Sequence, residues 1–578
     1  MDVGLTIVEG VANGASPFKE PSKRNIGLLG QFVRGAELTP TKITSLEDFN
    51  VIFGGQSSSF YGPGFVRSIF KEAGTAPVTL YLARVVGSGS KVAEATVGIG
   101  TSESGIGVST QQMVVRAGYK GADDPGAWAN GITAKLYSYG SRVKDMFTLV
   151  VAYGSATETY NYASLSEIQN AVNRVSKYIT IEFSGEINKL TFNKLTGTIT
   201  CSTSSNVVTG SGTRFTSSLK IGDVIYADLT SRPIGTVVSV KSDTELTLSS
   251  KALYGLSGGA AKARLDTIYT ATLTNGIDGE VVESDFYPVK STAKPLGLAC
   301  FDGFDVQILA VTEFHSLEMA KRMNAYLEEW GNPIGVINLP LNADEGTAEL
   351  FALELQTNGR SFLAGAYMGW VKVPDDNGNA QLLPAIAPIL GAAYIRTPYV
   401  NGDFIHIPPG GIDSLFNYVT EVLPARLSQA VINRCVQQFS CNILQYVENT
   451  GYYVGSSRTY STNALYSSVH IRQQTSYYLR ALLQKMHFME QKPNTPELKR
   501  EALVELNRFF RTEYDNGALE RSVDFDTAYQ GICDASNNPP TQDRKLVNID
   551  VMWIPTECTE SVAIALKRND GILTTMEV

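Results

Sequence analysis

The fold class is decided by residues 306–339, which run VQILAVTEFHSLEMAKRMNAYLEEWGNPIGVINL. An apolar run at 306–311 predicts a strand, and Ser316 predicts the N-cap of a helix whose apolar residues recur near one face up to Trp330. A second apolar run at 334–339 predicts another strand. A helix between two such strands indicates a parallel βαβ unit with a right-handed crossover, and therefore an α/β fold.

Upstream of this unit, the composition changes twice. Residues 21–90 carry apolar runs at 26–32 and 78–86 and two predicted helices, the first capped by Thr44 with Glu47 at capping-box spacing. Residues 91–291 consist of short alternating runs rich in Thr, Ser, Gly, Val and Tyr, which are typical of antiparallel strands and turns. Within them, a series of brief strands at 195–265 is a candidate for a separate β module.

Downstream, a predicted helix at 347–355 and a predicted strand at 361–373 extend the α/β unit, and the acidic turn at 375–378 predicts a hairpin tip. The last third of the chain is predicted to be mostly helical, with one helix capped by Thr495. Strands are predicted at 546–554, 561–567 and 572–578.

These patterns predict a multidomain α/β protein, in which an α+β core carries a β-rich inserted domain and extended terminal β-arms. The predicted divisions are 1–20, an N-terminal arm; 21–90, a small α/β part of the core; 91–291, the inserted domain; 292–424, an α/β domain; 425–560, a C-terminal α+β domain; and 561–578, a C-terminal strand and arm.

Composition bounds the class of protein. The 578 residues are enough for roughly two to four domains, and 43% hydrophobic with 18% charged residues excludes extensive disorder. A net charge of −9 without dense Lys/Arg runs argues against a nucleic-acid partner. The six cysteines are scattered, so we expect buried thiols in a reducing compartment. The amino terminus does not resemble a signal peptide and no apolar run could span a bilayer, so we expect a soluble protein made in the cytoplasm.

The sequence offers little for catalysis. It lacks a Walker A motif, a full Gly-x-Gly-x-x-Gly and His-Glu-x-x-His, and its four histidines are dispersed. Residues 255–259 have the Gly-x-Ser-x-Gly form around Ser257, but the β-rich surroundings favour a glycine turn over a nucleophile elbow. The loop at 375–377 lacks the ligand spacing of a calcium site. We therefore predict no catalytic residue, no cofactor and no metal site.

Several short strings occur in a fixed order along the chain. They are VGLTIVE at 3–9, GLLG at 27–30, ITSLEDF at 43–49, FGG at 53–55, YLARV at 81–85, DPGAWANGI at 124–132, LTNGIDG at 273–279, SRT at 457–459 and the Tyr466 to Arg472 segment. Together they resemble the contractile tail sheath family of phages, R-type tailocins and related injection systems, although Val3 stands where the family usually has Pro. The resemblance spans nearly the whole chain except residues 195–265.

The resemblance implies a structural subunit that polymerises helically around a tail tube and contracts without nucleotide hydrolysis. The implied partners are further copies of the chain, the tail tube protein, and baseplate and tail terminator proteins, with no nucleic acid and no membrane insertion. The implied location is a virion tail assembled in the host cytoplasm.

In that family, terminal arms add strands to sheets of neighbouring subunits. Carried over to this chain, the arm residues are Gly4, Leu5, Thr6, Ile7, Val8, Glu9, Ile572, Leu573, Thr574, Thr575 and Met576. The hinges that join the arms to the body are Gly10, Gly14, Asn569 and Gly571.

Charge suggests where a tube would lie. Residues 426–515 hold eleven Lys/Arg against seven Asp/Glu in an otherwise acidic chain. This excess is either an uneven helical surface or a face turned towards an acidic tube. On the second interpretation, the tube-facing candidates are Lys499, Arg500, Arg508 and Arg511.

Two other hypotheses stay open at this point. The first is another structural or adhesive protein of a tail or baseplate, because such proteins commonly carry β-rich insertions. The second is an enzyme, either an α/β hydrolase using Ser257 or an α/β oxidoreductase.

Overall fold

A computed structural model describes residues 21–99, 112–138, 147–184, 192–230, 232–264, 267–291, 294–539, 541, 545–559, 564–567 and 573–576. The predicted N-terminal arm therefore lies outside the described residues. No helix in these ranges is both long and apolar enough to cross a membrane.

The central sheet joins two distant parts of the chain. Its five strands lie in the order Thr41–Ile43, Leu80–Arg84, Ile26–Gly30, Ile308–Val311 and Ile334–Gly335. Thr41–Ile43 is antiparallel to its neighbour, and the other pairs are parallel. Residues 21–90 and 292–424, which lie on either side of the inserted domain in sequence, thus share one sheet.

Both faces of this sheet are buried, as expected of parallel strands. Alternate residues such as Leu28 and Leu29 enter two separate hydrophobic cores. Helices Leu46–Phe53 and Gly62–Ala73 contribute to the first core, and helices Leu317–Trp330 and Glu345–Leu355 contribute to the second.

The βαβ prediction is confirmed, with differences in detail. The helix Leu317–Trp330 begins after Ser316, whose hydroxyl accepts from the amide of Met319, and Ile308 pairs with Ile334 in parallel. The strand predicted at 334–339 was too long, because only Ile334 and Gly335 pair with Ile308 and Leu309. Asn338 forms a parallel bridge to Tyr367 on a different strand, and its side-chain amide donates to the carbonyl oxygens of Leu339 and Gly369. The predicted Thr44 cap was also wrong: Ser45 caps the helix Leu46–Phe53 by accepting from the amide of Asp48.

A buried helical segment crosses the first core. Helix Ile386–Ile389 continues through a π-helix, Leu390–Arg396, into helix Thr397–Val400. It crosses helix Gly62–Ala73 at Gly391, where a Cβ atom would lie 2.4 Å from the carbonyl oxygen of Ile69. Only glycine allows this close approach.

The inserted domain has its own core between two antiparallel sheets and a helix, Leu165–Val175. One sheet is ordered Ile179–Ser184, Gln112–Tyr119, Glu94–Gly98, with Ala122–Asp123 paired to its middle strand. The other is ordered Thr267–Thr272, Thr133–Ser138, Phe147–Tyr153, Ala156–Tyr162.

Residues 192–264 form a further sheet around a fourth core. Its eight strands are ordered Phe192–Lys194, Ala261–Arg264, Val224–Ala227, Pro233–Ser242, Glu245–Leu248, Val207–Ser211, Thr198–Cys201 and Leu256–Gly259. The last strand in this order is separated by one residue from the second, so the sheet curls round on itself like a barrel. We call residues 192–264 the β module.

The C-terminal part mixes short strands with two long helices. The strand predicted at 361–373 is broken into Tyr367–Met368 and Trp370–Pro374 at Gly369, whose φ is 129°. The second piece forms the predicted hairpin with Ala380–Pro384 across the turn at 375–378. Further strands are Glu421–Leu423, Asn442–Val447 and Gly451–Val454, and a shorter helix is Gln429–Gln437.

The two long helices are Val469–Met486 and Pro496–Asp515, the second capped by Thr495 as predicted. They pack together around Tyr478, Leu506 and Phe510 in a fifth core. Two isolated two-stranded sheets follow, Tyr529–Ile532 with Asp550–Trp553 and Ile564–Lys567 with Leu573–Met576. The C-terminal third is therefore less helical than predicted, because turns and short strands separate these helices.

Candidate functional site

The inserted domain joins the central sheet at a buried arginine. Strand Leu80–Arg84 ends with Arg84, of which only 2% is exposed. Its guanidinium donates to the carbonyl oxygens of Pro125 at 2.7 Å, Phe32 at 3.0 Å, and Gly35 and Val33 at 3.2 Å. Arginine suits this position because its planar fork presents five N–H donors at once.

Asp124 supplies the opposite charge at this junction. Its carboxylate accepts from Arg84 at 3.0 Å and from the amide of Gly35 at 2.8 Å, and only 1% of the residue is exposed. Burial raises the pKa of Asp124 to about 6, while the charge of Arg84 opposes the shift. The desolvation of the carboxylate therefore outweighs the attraction of its partner.

A second arginine extends the same contact. The guanidinium of Arg34 lies 5.1 Å from the ring centre of Trp128 and 5.2 Å from that of Tyr178, and it donates to the carbonyl oxygen of Lys177 at 3.2 Å. Burial lowers the pKa of Arg34. The two rings belong to the inserted domain and Arg34 belongs to the core, so this stacking ties the two together.

Two turns of the inserted domain complete the junction. Asn130 and Gly276 exchange hydrogen bonds of 3.0 and 2.8 Å, and Asp278 accepts from the amide of Ala127 at 3.1 Å. A Cβ atom on Gly276 would lie 2.2 Å from the carbonyl oxygen of Gly126, so the turns touch backbone to backbone. The structure thus brings together three strings that sequence singled out separately, at 81–85, 124–132 and 273–279.

Two other carboxylates are buried in the core. Glu72, 0% exposed, accepts from Arg396 at 3.3 Å and from the amides of Asn417 and Tyr418. Glu313, 6% exposed, accepts from the amides of Gln31, Tyr61 and Gly62.

Burial raises the pKa of both carboxyls, that of Glu313 to about 7, because desolvation outweighs these hydrogen bonds. Both groups bind loops of the same chain, so we assign them to stability and not to catalysis.

The predicted tube-facing residues lie on helix Pro496–Asp515. Arg500, Arg508 and Arg511 are exposed, and each pairs with a carboxylate of its own helix: Glu497 at 2.8 Å, Glu505 at 2.8 Å and Asp515 at 3.5 Å respectively. Lys499 is half-buried. The face therefore alternates in sign, and its role towards a tube stays a prediction.

The predicted arms are only partly described. Gly4, Leu5, Thr6, Ile7, Val8, Glu9, Gly10, Gly14, Asn569, Gly571 and Ile572 lie outside the described residues. Leu573–Met576 is a strand that pairs antiparallel with Ile564–Lys567. Pairing with a neighbouring subunit stays a prediction.

The Ser257 motif lacks the structure that a nucleophile elbow needs. Ser257 is exposed on strand Leu256–Gly259, and the next element is another strand, Ala261–Arg264. A strand in place of the required helix argues against the hydrolase hypothesis.

The residues typical of metal sites are also dispersed. Across the ranges that the structure describes, no three His, Cys, Asp or Glu side chains are grouped as a metal site. Five cysteines are buried and Cys558 is partly exposed, and burial raises the pKa of Cys300 to about 12.

The comparisons with known proteins agree with this architecture. No family model and no curated sequence matches the chain. The sheath tail protein of Listeria innocua is 14% identical, with a TM-score of 0.51 over 93% of this chain and 96% of that one. The sheath tail protein of Desulfitobacterium hafniense is 13% identical, with a TM-score of 0.49 over 94% of this chain and 100% of that one. The contracted sheath of an extracellular contractile injection system is 15% identical over 46% of this chain and 71% of that one, with a TM-score of 0.38.

This chain therefore has a tail sheath fold. The resemblance noted in the sequence is confirmed at the level of the fold, over nearly the full length of the Listeria protein. What the molecule does is a separate question.

Proposed function

We propose that this chain is the structural subunit of a contractile tail sheath and has no enzymatic activity. The observation that carries the proposal is the likeness in fold to a sheath tail protein along 93% of the chain. In support, the buried charges hold loops together, and the exposed Ser257 lacks the following helix that a nucleophile elbow needs.

The arms are proposed to join one subunit to the next. Two isolated two-stranded sheets, Tyr529–Ile532 with Asp550–Trp553 and Ile564–Lys567 with Leu573–Met576, have outer edges without a further strand in the described part of the chain. Isolated pairs of strands are marginally stable, and open edges accept added strands. Residues 4–9 of one copy would pair with such an edge on another, and Leu573–Met576 would use its own outer edge.

The free energy of each strand-mediated contact between subunits can be estimated. A backbone hydrogen bond contributes about 0.5–1.5 kcal/mol net, so a six-residue strand contributes a few kcal/mol. Such a contact joins two different surfaces, so it generates an open helical polymer. The hinges Gly10, Gly14, Asn569 and Gly571 would let the bodies rotate while the strands stay paired.

Contraction would follow from a change of lattice. The extended polymer is metastable and relaxes to one with more buried surface, without nucleotide. During this change, the buried contact around Arg84 would make the inserted domain move together with the core. The tail tube would lie against the helix that carries Lys499, Arg500, Arg508 and Arg511. The sheath would join baseplate and terminator proteins in a virion tail that is assembled in the host cytoplasm.

Electron microscopy of the purified chain tests the proposal. We expect striated tubes of two lengths. Deletion of residues 1–18 should leave the folded body intact and abolish the tubes, and tubes at wild-type efficiency would refute the role of the arm.

A finer variant separates the arm strand from its tether. Replacing Leu5 and Ile7 with proline removes two backbone donors and should also abolish tubes. Ala12→Pro lies in the hinge segment, outside the predicted strand, and is the matched control. It should keep the tubes.

A further inference from the structure

Two surfaces on this chain carry exposed leucines. Positive side chains lie beside the leucines of one surface, and negative side chains lie beside those of the other. The first is at one end of the β module. Leu229 is 97% exposed in a hairpin loop that the amide of Ala227 closes by donating to Arg232 at 2.9 Å. Leu253 is 67% exposed, and its backbone amide donates to the carbonyl oxygen of Ile234 at 2.8 Å. Because Ile234 is two residues after Arg232, this bond places Leu253 close to Arg232. We call Leu229, Arg232, Lys251 and Leu253 the module tip.

The module tip is positively charged. The guanidinium of Arg232 lies 5.5 Å from the ring centre of Tyr254. Neither Arg232 nor Lys251 forms an ion pair with any carboxylate that the structure describes. The β module as a whole carries eight Lys/Arg against four Asp/Glu, in a chain whose net charge is −9.

The second surface lies on helix Glu345–Leu355. Leu350 is 50% exposed and Leu353 is 77% exposed, and their three-residue spacing places them on one face. Glu349 and Glu354 flank them. We call these four residues the helix face.

The helix face is negatively charged. Its helix has three glutamates and no lysine or arginine. Glu354 pairs with Lys321 at 2.7 Å and Glu345 pairs with Arg434, whereas Glu349 has no cationic partner among the described side chains.

We propose that the module tip of one copy docks on the helix face of another copy. Each surface offers two leucines, and the charges are complementary, with Arg232 and Lys251 opposite Glu349, while Glu354 keeps its ion pair with Lys321. The two surfaces differ, so the contact is heterologous and propagates along a polymer instead of closing a dimer. The inference deepens the proposed sheath function and depends on it.

A charge exchange tests this contact in the full-length chain. Arg232→Glu and Glu349→Lys each place like charges together and should raise the critical concentration for tube formation about three- to tenfold. The double variant restores opposite charges and should return to within about twofold of wild type. Sedimentation of tubes, checked by electron microscopy, measures the effect at low salt, where screening is weak.

Lys241→Glu is the matched control. It makes the same change of charge in the same module, at an exposed lysine that pairs with Glu245 at 2.9 Å. Lys241 lies nine positions along the chain from Arg232, near the opposite end of the strand Pro233–Ser242, and is therefore outside the module tip. This variant should assemble like wild type. Leu353→Ser, a change at an exposed position, removes an apolar contact without changing the charge and should also raise the critical concentration.

The outcomes separate this contact from the sheath function. A wild-type chain that stays monomeric overturns both. Wild-type tubes with either single variant unchanged, or a double variant no better than the singles, overturn the contact alone. If Arg232→Glu forms tubes at the wild-type critical concentration but no longer binds heparin, the module tip binds an external polyanion. That result would also overturn the contact.

Discussion

Replacing Arg84 with methionine should loosen the inserted domain from the core. Methionine fills much of the same volume but leaves the carboxyl of Asp124 buried, 1% exposed, and without its ion-pair partner. Four carbonyl oxygens, those of Phe32, Val33, Gly35 and Pro125, also lose a donor. Breaking a buried ion pair on one side costs about 3–5 kcal/mol, and we expect a loss of this size at the junction.

The loss should depend on pH in a defined direction. The pKa of Asp124, about 6, lies above its ordinary value of 3.8, so between those values the folded protein binds a proton that the unfolded chain lacks. Stability contributed by this group therefore falls as pH rises through that window. Arg84 lowers this pKa, and without it the carboxyl stays protonated to higher pH. The penalty of Arg84→Met should be smaller at pH 5 than at pH 8.

Hydrogen exchange followed by mass spectrometry measures the effect locally. Peptides covering 112–138 and 267–291 should lose protection, after correction for intrinsic exchange rates. Arg116→Met is the matched control, because Arg116 pairs with Glu94 and Glu182 at 3.6 Å on the surface of the same domain and should cost less than about 1 kcal/mol. Equal protection in Arg84→Met and Arg116→Met, or a larger penalty at pH 5, would refute the reasoning.

Three further predictions concern the surface, the thiols and the packing. Charge reversal of Lys499 and Arg500 should weaken sheath assembly on tail tubes in a co-sedimentation assay. Unchanged assembly would refute the hypothesis that these residues face the tube. Native protein should expose one fast-reacting thiol to a disulfide reagent, that of Cys558, because the other five are buried; several fast thiols would contradict the packing. Gly365→Ala places a Cβ atom 1.7 Å from the carbonyl oxygen of Ser440 and should cost about 3 kcal/mol or more in urea unfolding. Gly98→Ala meets nothing within 4 Å and should cost less than about 1 kcal/mol.

The sequence predicted those helix starts that depend on a hydrogen bond between residues close together in the chain. Ser316 and Thr495 cap the helices that follow them, because each hydroxyl accepts a hydrogen bond from the backbone amide three residues further along the chain. The strand predicted at 361–373 failed at Gly369, since an apolar run alone does not show where the backbone must turn. Thr44 and Ser45 are both residue types that cap helices, so the sequence alone did not show which of them does. The backbone angles φ and ψ of Ser45 place its hydroxyl at the helix start.

The junction could not be predicted, because its members are far apart in sequence. Arg84 meets Asp124 forty positions later and approaches Asp278 still further along the chain. The sequence strings around these residues indicate a resemblance to a family but not a contact between them. One signal was present: an arginine inside the apolar run predicted as a strand at 78–86 must either reach solvent or find buried acceptors. Which of these it does depends on tertiary contacts.

The β module enters and leaves its host through neighbouring strands. Phe192–Lys194 and Ala261–Arg264 run antiparallel in register, so the two ends of the module are about one strand spacing apart, roughly 5 Å. The host therefore needs only a pair of adjacent attachment points, whatever folds between them. A foreign domain with neighbouring termini, or a short peptide tag, could be spliced in at this stem, which would make the chain a platform for displaying cargo.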